Sequence, residues 1–145
     1  MLRHILVATD GSSLSTHAVR KAVTLASKLG ARMTALHVMP PFRVMTFAPE
    51  LLEDTEGEYL EHARNRAEAI LADVTEAARA ANVPCEVITL AHEHPYEAII
   101  STAQARDCDM IAMAAHGRRG IQATIIGSET QKVLTHSKLP VLVFR

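Results

Sequence analysis

Two segments of the 145-residue chain combine residue types suited to holding an anion. One is Thr9-Asp10-Gly11-Ser12, which closes an apolar run; the other extends from His116 to Ser128 and carries Gly117, Gly120 and Gly127. Glycine here lets the backbone approach a ligand closely, and Ser128 with the amides beside it would open a helix whose N-terminus favours negative charge. Phosphate is the natural guest. Arg118 and Arg119 add positive charge in the same segment, either of them able to offer forked donors to phosphate oxygens. Taken singly, each glycine also has the plainer role of shaping a turn or capping a helix, and each arginine that of a solvated charge. The segment is not a generic nucleotide motif. No G-x-G-x-x-G follows the first apolar run, and G-x-x-x-x-G-K-[ST] is absent because Gly127, not lysine, precedes Ser128. Phosphoryl transfer thereby lacks its usual charge clamp. Asp10 likewise has two roles open to it, since Asp ahead of Gly-Ser commonly does no more than form a turn.

The remaining reactive side chains point away from catalysis. Eight histidines invite a metal reading, but His92-x-His94, even with Glu93 between, lacks a full coordination set, and no metal site from protein ligands alone is expected. His116 has two roles open: contact with phosphate or the loop, and that of a solvated loop residue. Ser12, Ser13 and Ser128 fall where helix caps are expected, so no nucleophile, base and orienting partner can be assembled from spacing. The only cysteines, Cys85 and Cys108, each adjoin an expected strand and read as reduced, partly buried thiols of a cytosolic protein.

The elements that must carry these loops alternate along the chain. Residues 5–8 form an apolar run that reads as a strand buried on both faces, ended by the Thr9 to Ser12 turn. From Ser13, Ala18, Ala22, Leu25, Ala26 and Leu29 recur at helical spacing, with Gly30 as the stop. A second strand is expected over residues 32–38, ended by Pro40-Pro41. Residues 39–55 show no clean period and are long for a connection, which suggests a flexible flap. Leu60, Ala63, Ala67, Ile70, Val74, Ala77 and Ala81 then mark a helix over 56–81. A third strand over 85–90, a helix opened by Pro95 and running to about Ala105, a fourth strand over 110–114, a helix around 128–136 and a strand over 141–144 complete the series.

Strands alternating with helices need right-handed crossovers, which place helices on both faces of a parallel sheet. The fold class expected is therefore α/β, a doubly wound five-stranded parallel sheet, within one domain spanning residues 1–145. Ligands of such sheets lie at the carboxyl ends of the strands where strand order reverses, and both candidate loops follow strands at that edge. A composition of 48% hydrophobic and 21% charged residues is that of a globular chain. The net charge of -1 supplies no field for nucleic acid, and 3% aromatic residues leave no base-stacking platform. No stretch reaches the roughly 18 apolar residues of a membrane span, and no targeting segment is expected, so the reading is of a soluble, cytoplasmic protein.

The stretches ILVATDGS, ALHV, AAHGRRGIQATIIGS and KLPVLVFR together resemble the universal stress protein family, and the match runs nearly end to end. Nucleotide-binding members carry G-x-x-G, nine residues, then G-[ST]; here Gly117, the nine residues 118–126 and Gly127-Ser128 fit, while Ala114 occupies the place of the first glycine. The resemblance implies a Rossmann-like fold of the adenine nucleotide alpha hydrolase-like kind. It also implies ATP or AMP as ligand, with Asp10 bonding the ribose or a phosphate-bound Mg, and Ala8, Thr9 and the Val38 backbone near the adenine. Met113, Ala114, Gly117, Gly127, Ser128 and Glu129 would wrap the ribose and phosphates, with His116 and Arg118 beside them. The departure at Ala114 puts a methyl group at one point of close approach. A homodimer paired through the C-terminal strand is implied as well. Three functional classes follow: a nucleotide-binding stress-response module, a dimeric interaction protein without useful nucleotide affinity, and, ranked last, a slow ATPase.

Overall fold

A computed structural model describes residues 2–41, 52–116 and 126–145, with side chains omitted at 52–55. Nine elements alternate in the order β1 (His4–Ala8), α1 (Ser13–Leu29), β2 (Arg32–Met39), α2 (Leu52–Ala80), β3 (Cys85–Ala91), α3 (Pro95–Ala105), β4 (Met110–Ala114), α4 (Ser128–His136) and β5 (Val141–Phe144). All five strands pair in parallel, in the order β3-β2-β1-β4-β5. The chain winds outward from β1 through β2 to β3, then returns to place β4 on the other side of β1. That reversal makes the gap between the carboxyl ends of β1 and β4 the switch point of the sheet.

The two faces follow from strand alternation. Ile5 and Val7 of β1, Met33 and Ala35 of β2, and Met110 and Ala112 of β4 pack with Val19, Ala22, Val23 and Ala26 of α1 and Leu71, Val74 and Ala78 of α2. Leu6, Leu36, Ile111 and Met113 face the opposite way, against Ile99 and Ala103 of α3 and Val133 of α4. Helices thus cover both faces. The central strands β1 and β4 are buried almost throughout, whereas β3, at one edge, leaves Glu86, Val87 and Thr89 exposed.

Both helical stripes turn out narrower than their spacing suggests. Leu29, in the last turn of α1, is 46% exposed, and Leu60 of α2 is 45% exposed. In α2 the fully buried residues are Ala67, Leu71, Val74 and Ala78, with Ile70 and Ala77 at the margin. Length is the reason: 29 residues of helix extend about 44 Å against about 26 Å for an eight-residue strand, so the early part of α2 reaches past the sheet. The expected flap is also shorter than residues 39–55, because Met39 closes β2 and Leu52 opens α2; its residues 42–51 lie outside the described residues. Tyr59 ties the early part of α2 to the end of β2, its hydroxyl donating to the Pro40 carbonyl at 3.0 Å.

Candidate functional site

The turn after β1 is fixed by its own side chains. Ser12 caps α1, its hydroxyl accepting from the Ser15 amide at 3.2 Å. Asp10 Oδ1 accepts from the Ser12 amide at 2.9 Å, and the Asp10 amide donates to the Ser15 hydroxyl at 3.2 Å. Gly11 between them has φ 80°, a left-handed conformation that favours glycine. Asp10 therefore does form the turn that its sequence context suggests, and that turn holds its carboxylate, partly exposed, at the sheet's carboxyl edge. Thr9 is anchored from β2: its amide donates to the Leu36 carbonyl at 3.0 Å and its carbonyl accepts from His37 Nδ1 at 2.9 Å. A carbonyl can only accept, so Nδ1 of His37 carries the ring proton there.

Across the switch point, the end of β4 and the start of α4 are joined directly. The Gly127 amide donates to the Ala115 carbonyl at 2.7 Å, and the Thr130 hydroxyl to the Ala114 carbonyl at 2.9 Å. The Ala115 amide in turn donates to the Phe144 carbonyl of β5 at 2.7 Å. These bonds place the N-terminus of α4 over the end of β4, next to the turn after β1. Gly127, not Ser128, is the N-cap and has no side chain to cap with; among the described residues no side chain caps this helix, and Ser128 is its exposed first residue. A cap serine at 128 is thus a misreading by one position, and it matters chemically. First-turn amides have no acceptor within the helix, so an uncapped N-terminus leaves donors and the positive end of the helix dipole for a ligand.

Other expected residues fall into place unevenly. Ala8, Thr9, Asp10, Met113, Ala114, His116, Gly127, Ser128 and Glu129 gather around the switch point; Val38 lies nearby at the end of β2, half-buried against the α3 and α4 face. Gly117 and Arg118 lie outside the described residues, as do Arg119 and Gly120. Met113, Ala114 and His116 are all buried. By the alternation of β4, Ala114 falls on the α1 side with Met110 and Ala112, and at 5% exposure its methyl is covered by protein. Glu129 does not turn to the site. Its Oε2 accepts from the Tyr96 amide at 2.9 Å, serving α3, whose own N-cap His94 makes no side-chain cap bond. Only the Glu129 backbone is left to meet a ligand.

Sequence reading missed His37, Ser15 and Thr130. The signal for His37 was the register that pairs Ala8 with Leu36, which puts residue 37 beside Thr9. For Thr130 it was position, three residues past the cap glycine.

The reactive groups elsewhere are quiet. Burial pushes the Cys108 thiol up to about 11 and raises Cys85 as well, so both are neutral thiols and poor nucleophiles near pH 7. His92 and His94 are partly exposed; the His94 amide donates to His92 Nδ1 at 2.9 Å, and Nε2 of His92 lies 3.9 Å from Glu97. Among the described residues no group of three His, Cys, Asp or Glu side chains is placed to hold a metal ion. Nor is any described helix long and apolar enough to cross a membrane.

Comparison with known proteins bears directly on this arrangement. The family model described as the Universal stress protein family matches residues 1–145. The chain belongs to the universal stress protein family. A universal stress protein of Thermus aquaticus is 33% identical over 146 residues, covering 100% of both chains. The solved structure of UspA from Lactobacillus plantarum is 26% identical, with a TM-score of 0.83, covering 99% of this chain and 97% of that one. A universal stress protein solved in complex with cAMP is 23% identical, covers 99% of this chain and 97% of its own, and has a TM-score of 0.70; that likeness is one of fold. The family's five-stranded parallel sheet, with helices on both faces, is the architecture found here.

Proposed function

We propose that this chain is a single-domain, cytoplasmic stress-response module that binds an adenine nucleotide, ATP or AMP, at the switch point between β1 and β4. The observation that carries the reading is the uncapped N-terminus of α4, tied by the Gly127–Ala115 bond of 2.7 Å beside the Asp10 turn. The related fold solved with cAMP supports adenine as the base. The phosphates lie against the amides of Ser128 and Glu129 and the Ser128 hydroxyl, and the reading keeps Gly117 and Arg118 as nucleotide-binding residues. Asp10 takes the ribose hydroxyls or a phosphate-bound Mg, and the base sits by Ala8, Thr9 and Val38, with Met113, Ala114 and His116 forming the floor. The role is binding and signalling, since neither thiol is activated and the lysine of a phosphate-transfer loop is absent.

A second reading rests on β5. Among the described residues this strand pairs only with β4, and it is half-buried along its length, so its outer edge is open to a further strand. Pairing with the same strand of a second copy gives a homodimer, and a dimer acting through protein contacts needs no nucleotide. Analysis of nucleotide carried through purification, followed by calorimetry with Mg-ATP, separates the two. Bound nucleotide or saturable heat is the expected result; neither, at millimolar Mg-ATP, leaves the interaction protein standing.

A further inference from the structure

A polar cluster independent of that site lies at the amino-terminal edge of the sheet. His4 opens β1 yet is only 5% exposed, and its Nε2 lies 2.7 Å from the hydroxyl of Thr34, a fully buried residue of β2. The buried Cys108, just ahead of β4, stands by the same hydroxyl, whose hydrogen bond would favour the thiolate against the larger effect of burial. Nδ1 of His4 meets no hydrogen-bond acceptor among the described residues, so the ring proton sits on Nε2 and the Thr34 oxygen accepts it. Nδ1 is then a bare lone pair. It is buried and has no hydrogen-bond partner among the described residues, although the Arg106 backbone stands ready to receive a proton placed there.

We propose that His4 is a proton-sensitive element of the fold: uptake of a proton at Nδ1 puts an imidazolium between β1 and β2 and loosens this edge in mildly acid solution, with or without nucleotide. Groups from each neighbouring element decide the balance. Burial acts first and Arg32 of β2 second, both against the charged ring. Asp109, ahead of β4, and Glu86 of β3 favour it. Both carboxylates are engaged elsewhere, however: Asp109 accepts from the Arg3 and His4 amides at 2.7 and 2.9 Å, and Glu86 pairs with the Arg106 guanidinium. Cys108 is neutral and supplies no counter-charge. A cavity of about 550 Å³, lined by His4, Arg3, Arg32, Asp107 and Asp109 among others, brings solvent to the same edge.

The sign follows from linkage. The folded-state pKa of His4 lies below the ordinary histidine value, so in the interval between them the unfolded chain binds a proton that the folded chain does not. Stability is complete above about pH 6.5 and falls as pH drops below it, with a ceiling of about tenfold in the unfolding constant per pH unit.

Urea unfolding of the full chain at pH 7.5 and 5.5 tests this, compared with His4→Gln, which keeps a donor near the Nε2 position. The wild-type unfolding constant rises up to about tenfold more than that of the variant over this range; equal rises in the two proteins overturn the proposal. NMR of the wild-type ring decides the matter if the variant does not fold. The expected result is an Nε2-protonated tautomer that titrates below the ordinary histidine value of about 6.5. An Nδ1-protonated tautomer, or titration at or above that value, overturns it.

Discussion

The two edges of the sheet are made from the same strands, but they spend their polar groups in opposite ways. At the amino-terminal edge the Asp109 carboxylate closes on the Arg3 and His4 amides, the Asp109 amide donates to the His4 carbonyl at 2.8 Å, and the Arg32 amide to the Arg3 carbonyl at 2.9 Å. At the carboxyl edge the side chains of Asp10, Ser12 and Ser15 are used to shape one turn, while among the described residues the first turn of α4 is left without a side-chain cap. Parallel winding explains the asymmetry. Every crossover helix begins at the carboxyl edge and ends at the other, so unsatisfied donors collect at the first and carbonyls at the second. One edge closes its polar groups on the fold, and the other presents the helix N-termini that the proposed nucleotide would meet.

Substitutions break this contrast to different extents. Ile111→Ala, in the fully buried centre of β4 shared by both edges, costs about 3 to 4 kcal/mol in urea unfolding and weakens nucleotide binding through loss of folded protein. Asp10→Ala separates the edges. Affinity for Mg-ATP in calorimetry falls tenfold or more, about 1.4 kcal/mol, while unfolding changes by less than that. Asp109→Ala does the reverse, costing about 1 kcal/mol of stability with affinity unchanged. Hydrogen bonds from the Arg3 amide above all hold the Asp109 carboxyl below the usual aspartate range. Its contribution is therefore present above about pH 4 and is lost as pH falls below the ordinary aspartate value, which paired unfolding curves check. Ala114→Gly has the smallest effect, less than about threefold in affinity, because the methyl is already covered by protein.

The alternation of elements was legible because β1 after His4 and the whole of β4 are short apolar runs and because Gly30 ends α1 cleanly, with φ 64° and its amide returned to the Ala26 and Ser27 carbonyls. The start of α4 was legible too, to within one position, from Gly127 and Ser128. What spacing could not supply was register and reach. A periodic stripe does not reveal that α2 outruns the sheet, so Leu60 was counted with the core though it is exposed. A serine after glycine looks like a cap until the backbone shows that the glycine holds that position. The bonds from His37 to Thr9 and from Thr130 to Ala114 depend on which strands are neighbours. Likewise, His4 at the head of an apolar run gives no sign that Thr34 and Cys108 converge on it.

The account rests most on the claim that nucleotide binds at the carboxyl edge, and amide NMR during a titration with Mg-ATP tests it residue by residue. Saturable shifts are predicted at Asp10, Gly127, Ser128 and Glu129, with Arg3, Arg32 and Asp109 unmoved. Shifts confined to the amino-terminal edge, or none at millimolar nucleotide, would contradict it.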